Sequence, residues 1–159
     1  MISRGFTLIE LLVTLAVAVI LATIAVPGFQ GMMATNRFSA DYNEVLTGLN
    51  YARSEAAKRR ETIVFEIISD APWEYKVYPE GESGNILRMG AASDDKVSIS
   101  TGSVEFNALG RRMSTCVDWT DCTLAVSLGE DRVSGIEIGL TGRVSKTDTI
   151  PEPSEDENG

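Results

Sequence analysis

The chain has 159 residues and a net charge of −9, with 14 lysines and arginines against 23 aspartates and glutamates, which suits one domain better than two. It has no histidine and only two cysteines, which removes Ser-His-Asp and Cys-His catalysis, His-ligated zinc and four-thiolate metal sites. There is no Walker loop or Gly-x-Gly-x-x-Gly turn, and no carboxylate pair stands out as an acid/base couple. A binding role is therefore expected, with no catalysis, cofactor or metal. The acidic balance disfavours nonspecific nucleic-acid binding by bulk charge and leaves only a local basic patch open.

From Phe6 to Val26 the only ionisable residue is Glu10. A helix over this run would be about 31 Å long, the hydrocarbon thickness of a bilayer. Arg4 precedes the run, and a positive flank stays cytoplasmic, so the rest of the chain is expected outside the cytoplasm. A secretory signal and a plain membrane anchor both account for the apolar run, but neither accounts for Glu10. A carboxylate in lipid costs about 2–3 kcal/mol or more, so its presence implies a partner.

Pro27-Gly28 predicts a bend at the membrane surface. Beyond it, Phe38, Tyr42, Val45, Leu49, Ala52 and Ala56 recur by fours and threes, one face of an amphipathic helix. Lys58-Arg59-Arg60 closes the segment with cations, as a helix C-terminus favours. One helix is expected from about Phe6 to Arg59, with a transmembrane part over 6–27 and an amphipathic part over 28–60.

After Glu61 the periodicity changes to that of strands. Residues 62–68 are β-branched and apolar, 73–77 alternate with period two, and Asp70-Ala71-Pro72 supplies a turn between them. Further short strands are expected at 85–89, 96–100, 103–106, 123–128, 133–138 and 142–146, separated by Gly and Asp-Asp sites. So many short strands after one helix predict an α+β fold, the helix packed on antiparallel sheets in a head spanning 61–147. Residues 148–159 have no apolar periodicity and only acidic charges, and are expected to form a disordered tail.

Gly5-Phe6-Thr7-Leu8-Ile9-Glu10, followed by Leu-Leu-Val, resembles the processing site of type IV prepilins and type II secretion pseudopilins. The resemblance implies that residues 1–5 are a leader and that a prepilin peptidase cuts between Gly5 and Phe6 on the cytoplasmic side. It also implies N-methylation of Phe6 and a type IV pilin-like fold. The protein would be single-pass in the bacterial inner membrane, and its helix would pack with those of other pilins or pseudopilins in a pilus or pseudopilus. Glu10 would then carry assembly: cleavage creates an amine at Phe6, one helical turn away, and that of an adjoining subunit could serve equally.

Ala25-Val26-Pro27 with Phe29, Asn36-Arg37, Asn43, Ala52-Arg53-Ser54-Glu55-Ala56 and Lys58-Arg59 resemble the GspH/FimT group. So do Trp73 before Val77-Tyr78, Phe106-Asn107-Ala108-Leu109-Gly110-Arg111 and Leu140-Thr141-Gly142-Arg143. The details are closer to FimT-type minor pilins, which help to initiate pilus assembly; GspH-type pseudopilins sit at the tip of the type II secretion pseudopilus. Some FimT-type members bind DNA through a Gly-Arg-x-Arg segment. Here Gly142-Arg143-Val144-Ser145 has serine at the second arginine position, with Lys146 following. A DNA contact would draw on Arg111, Arg112, Arg143 and Lys146, provided that the two Gly-Arg turns meet.

Cys116 and Cys122 would close a short loop if oxidised. Extracytoplasmic placement makes a disulfide the expectation, two unrelated thiols being the alternative. Such a loop contributes about 2 kcal/mol on the chain-entropy model, shaping one hairpin more than it holds the domain.

Overall fold

A computed structural model describes residues 6–113, 116–129 and 132–150. Helix α1 runs from Leu8 to Arg59, close to the expected bounds, and is not interrupted at Pro27-Gly28. The chain divides into two compact units, 1–36 and 37–159.

In the first unit the described side chains from Phe6 to Met33 are exposed, and the helix is long and apolar enough to cross a membrane. Its hydroxyls are satisfied locally. Thr14 Oγ1 donates to the Leu11 carbonyl at 2.9 Å and Thr23 Oγ1 to the Ile20 carbonyl at 2.7 Å. In hydrocarbon, where no water is available, such back-bonding lets a threonine sit in an apolar helix.

In the second unit, the rest of α1 packs on two four-stranded antiparallel sheets. The strands are β1 (Ile63–Asp70), β2 (Trp73–Pro79), β3 (Arg88–Ala91), β4 (Val97–Ile99), β5 (Gly102–Phe106), β6 (Thr123–Leu128), β7 (Arg132–Ile138) and β8 (Val144–Thr147). One sheet is ordered β3-β2-β1-β5 and the other β4-β6-β7-β8. β2 shows the half-buried alternation cleanly: Trp73, Tyr75 and Val77 face the core, while Glu74, Lys76 and Tyr78 point away. The helix contributes Phe38, Val45, Leu49, Ala52 and Ala56 to that core; Tyr42, on the same face, is half-buried.

Gly48 sets how closely helix and sheet approach. A Cβ there would fall 2.7 Å from the Tyr75 ring and 2.9 Å from Phe65, so only glycine admits these two stacked rings against α1. The Tyr75 hydroxyl donates to Glu44 Oε1 at 2.8 Å and accepts from Arg88 Nε at 2.8 Å, while Arg88 Nη2 reaches Glu44 at 2.9 Å. The Arg88 bond, then that from Tyr75, holds the Glu44 carboxyl below its ordinary value of 4.5. Burial and the Glu44 acceptor push the Tyr75 hydroxyl up to about 12. At the end of α1, buried Glu55 accepts from Lys58 Nζ at 3.0 Å and Arg59 Nε at 2.7 Å. The terminal cations thus have a specific carboxylate partner as well as the helix dipole.

Candidate functional site

Three groups of residues carry the functional argument: the start of α1, the two Gly-Arg turns, and the cysteine loop. Gly5 and the rest of the leader lie outside the described residues. Phe6 is exposed, and α1 begins two residues later. Thr7 precedes the first helical residue, and its Oγ1 accepts from the Glu10 backbone N–H at 3.3 Å. This is the first half of a capping box, threonine at the cap and glutamate three residues on. Glu10 therefore belongs to the helix start as well as to the apolar surface. Thr-x-x-Glu was legible as a cap signature, but the charge of Glu10 in an apolar run overshadowed it.

The two Gly-Arg turns have the same build. In the first, Gly110 N–H donates to the Asn107 carbonyl at 2.7 Å, and Asn107 N–H to the Arg111 carbonyl at 2.9 Å. In the second, Gly142 N–H donates to the Gly139 carbonyl at 2.8 Å, and Gly139 N–H to the Arg143 carbonyl at 2.9 Å. Both glycines are left-handed, with φ of 67° and 80°. The turns also touch. A Cβ on Gly142 would lie 2.0 Å from the Gly110 carbonyl oxygen and 3.2 Å from Arg53 Nε. Arg53, on α1, donates through that Nε to the Gly110 carbonyl at 3.2 Å. Helix, first-sheet turn and second-sheet turn thus meet at one point.

This joint brings Arg111 and Arg143 onto adjacent turns, both exposed. The other two candidate cations are placed elsewhere. Arg112 is half-buried, and its Nη1 lies against the cysteine sulfurs, 2.6 Å from Cys122 and 3.9 Å from Cys116. Lys146 lies on β8, beside Phe38 and Tyr42 of α1, and pairs with Asp148 at 3.7 Å. Arg53, which in the sequence stands out only within the segment that resembles the GspH/FimT group, is the residue that ties the turns to the helix.

Cys116 and Cys122 form a disulfide with Cα atoms 5.3 Å apart. Their loop is tied to the edge of β5, with Val117 and Ser103 exchanging backbone bonds at 3.0 and 3.1 Å. Trp119, within the loop, is buried and donates from Nε1 to the Ser100 carbonyl at 3.1 Å. The disulfide thus closes a loop that lies along the β5 edge of the first sheet. Among the described residues no cluster of three or more Cys, Asp or Glu is arranged to hold a metal.

A long apolar N-terminal helix continuing into an amphipathic half on antiparallel sheets defines a pilin-like protein. Residues 1–26 match the prokaryotic N-terminal methylation motif, and residues 41–142 match the type II transport protein GspH model. The chain belongs to the GspH family. Its fold is shared with the type IV minor pilin FimU of Pseudomonas aeruginosa, with a TM-score of 0.58 and 20% identity over 74% of this chain and 95% of that one. A second crystal form of FimU aligns with a TM-score of 0.48 and 20% identity, over 75% and 94% of the two chains. No curated protein sequence matches the chain.

Proposed function

We propose that this chain is a minor pilin of a type IV pilus. It is held in the inner membrane by residues 6–27 with the head outside the cytoplasm, and is then drawn into the filament to support its assembly. The observation that carries this is the exposed apolar face of α1, which opens on Glu10 and continues into the helix that packs the head. An anchor alone needs no carboxylate there; a helix that docks on other helices through a charged contact does. Prepilin peptidase would free the Phe6 amine for that contact. The FimT-like details at Ala25-Val26-Pro27 and Asn36-Arg37 favour a pilus over a secretion pseudopilus, where the same helix would serve a GspH-type subunit. Glu10→Val should spare cleavage and membrane insertion but exclude the subunit from filaments, read by immunoblotting sheared filaments against membranes. Incorporation at the wild-type level would remove Glu10 from this role.

A second reading has its own support. The close approach of Gly142 to Gly110, with Arg111 and Arg143 each exposed beside its glycine, supports a small cationic contact for a nucleic-acid backbone. Such a site neutralises few phosphates, and each contributes about one unit of salt slope. With Ser145 at the second arginine position, with Arg112 at the disulfide and Lys146 beside Tyr42, binding should be weaker than for a complete Gly-Arg-x-Arg segment.

A further inference from the structure

The two ends of the disulfide are not equivalent. Cys116 is partly exposed, whereas Cys122 is buried, at 4% exposure. Val117, next to Cys116, pairs with Ser103 on the edge of the first sheet, while Cys122 directly precedes β6 of the second. The bond therefore links the two sheets at their margin.

A cation lies against one sulfur more closely than the other. Arg112 Nη1 is 2.6 Å from Cys122 Sγ and 3.9 Å from Cys116 Sγ. The Arg112 backbone bridges to Phe106 at the end of β5, so the guanidinium is placed from the sheet and not by the loop. A neutral disulfide sulfur gains little from such a neighbour. A thiolate gains much, because a guanidinium keeps its charge throughout the working pH range. The loop's own carboxylates, Asp118 and Asp121, are exposed, so solvent weakens their opposition.

The closed loop also holds an uncommon backbone. Asp118, Asp121 and Cys122 have φ of 63°, 52° and 53°. Aspartate tolerates the left-handed region, but cysteine enters it rarely. The Cys122 N–H donates to the Trp119 carbonyl at 3.2 Å, and the Trp119 indole donates to the Ser100 carbonyl at 3.1 Å. The conformation at Cys122 is thus coupled to the seat of Trp119.

We propose that this disulfide is a thiol-exchange site, opened by a thiol reductant at Cys116 with Cys122 as the leaving group. The reductant's thiolate attacks Cys116 Sγ, the S–S bond breaks, and its electron pair leaves on Cys122 Sγ as a thiolate held by Arg112. A second reductant thiolate then attacks the reductant sulfur of the mixed disulfide. The reductant departs as a disulfide, having given two electrons and two protons, one proton to Cys116 and one to solvent. With the bond open, Cys122 returns to a negative φ and the loop loosens its hold on β5.

The test uses the full chain in neutral detergent micelles, equilibrated at pH 8 with mixtures of reduced and oxidised glutathione. Acid quenching, alkylation and fragmentation mass spectrometry should place glutathione on Cys116 and the alkyl group on Cys122. Arg112→Gln should need about tenfold more reducing mixtures for half-reduction, and Arg112→Lys should recover most of that difference. The fully reduced chain should show thiolate absorbance at 240 nm at a pH where Arg112→Gln shows none, a signature that a packing defect alone does not produce. On reduction, hydrogen exchange at the Ser103 and Val117 amides should quicken at least about tenfold, while the β1–β2 amides stay protected. Glutathione found on Cys122 would overturn the proposal, and this is read in the native sequence even if Arg112→Gln does not fold. So would a half-reduction point and thiolate absorbance that Arg112→Gln leaves unchanged, or amide exchange at Val117 that reduction does not alter.

Discussion

Gly142 and Gly81 make a natural pair for separating backbone strain from steric contact. Their φ angles are +80° and +79°, but a Cβ at Gly81 would meet nothing within 4 Å, whereas one at Gly142 would lie 2.0 Å from the Gly110 carbonyl oxygen. Alanine held in the left-handed region costs about 1–2 kcal/mol, and Gly81→Ala should cost that and no more. Gly142→Ala bears the same strain plus an overlap with a backbone carbonyl, which cannot rotate aside as a side-chain tip can. Overpacking of this kind adds about 1–3 kcal/mol, for a total of about 2–5 kcal/mol. For a head of this size 1 kcal/mol moves Tm by about 4 °C, giving losses of about 4–8 °C at Gly81 and about 8–20 °C at Gly142. Thermal unfolding of the full chain in detergent, followed by near-ultraviolet circular dichroism of the buried Trp73 and Trp119, measures both. Equal losses in the two variants would refute the close meeting of the turns.

Three further outcomes are expected. Gly5→Val should block processing and leave the chain at its full 159 residues, and mass spectrometry of the membrane fraction would show whether it still begins at Phe6. Non-reducing peptide mapping of alkylated protein should recover Cys116 and Cys122 in one linked fragment, free thiols being the contrary result. Glu44 is held below its ordinary value of 4.5, so the unfolded chain takes up its proton first and this contribution to stability is lost as pH falls from about 4.5. Glu44→Gln should flatten that part of the pH–Tm curve, and an unchanged acid slope would count against the Glu44–Arg88–Tyr75 cluster.

Much of this architecture is legible in the sequence. The fours-and-threes spacing from Phe38 to Ala56 matches the buried helix face at every position but half-buried Tyr42, because a 3.6-residue period leaves little choice of face, whereas buried Glu55 carries no apolar signal. Alternation at Trp73–Val77 gave β2 and its orientation for the same reason. Short strands were less well bounded: β3 lies at Arg88–Ala91 rather than 85–89, since a four-residue edge strand is set by its pairing with β2 rather than by its own pattern. The sequence could suggest that the Gly-Arg turns meet, but not that Arg53 ties them, because residues 53, 110 and 142 carry no local signal of each other. Neither could it foresee that Arg112 goes to the disulfide while Arg111 stays outside, although the two are adjacent. Gly48 was likewise silent. In a helix it reads as a weak point, and only the Tyr75 ring shows why the space is needed.

The order of the strands also constrains how the head comes together. β3 joins the first sheet, β4 the second, β5 the first again and β6 the second again, so the chain crosses between sheets on three successive connections. Among the described strands, β1–β2–β3 and β6–β7–β8 each pair between sequence neighbours, while β5 and β4 join their sheets by pairing with β1 and β6 at longer range. The first sheet waits for β5, and the second, though β4 precedes it, waits for the chain to reach Thr147. Pairings of such long sequence separation are slow to close. During synthesis Phe38, which lies beside Arg132 of β7 and Lys146 of β8, therefore stays uncovered until nearly the whole head exists. Folding should then proceed in one late cooperative step, leaving no stable half-head, and truncation before β8 should yield an aggregating chain rather than a smaller domain.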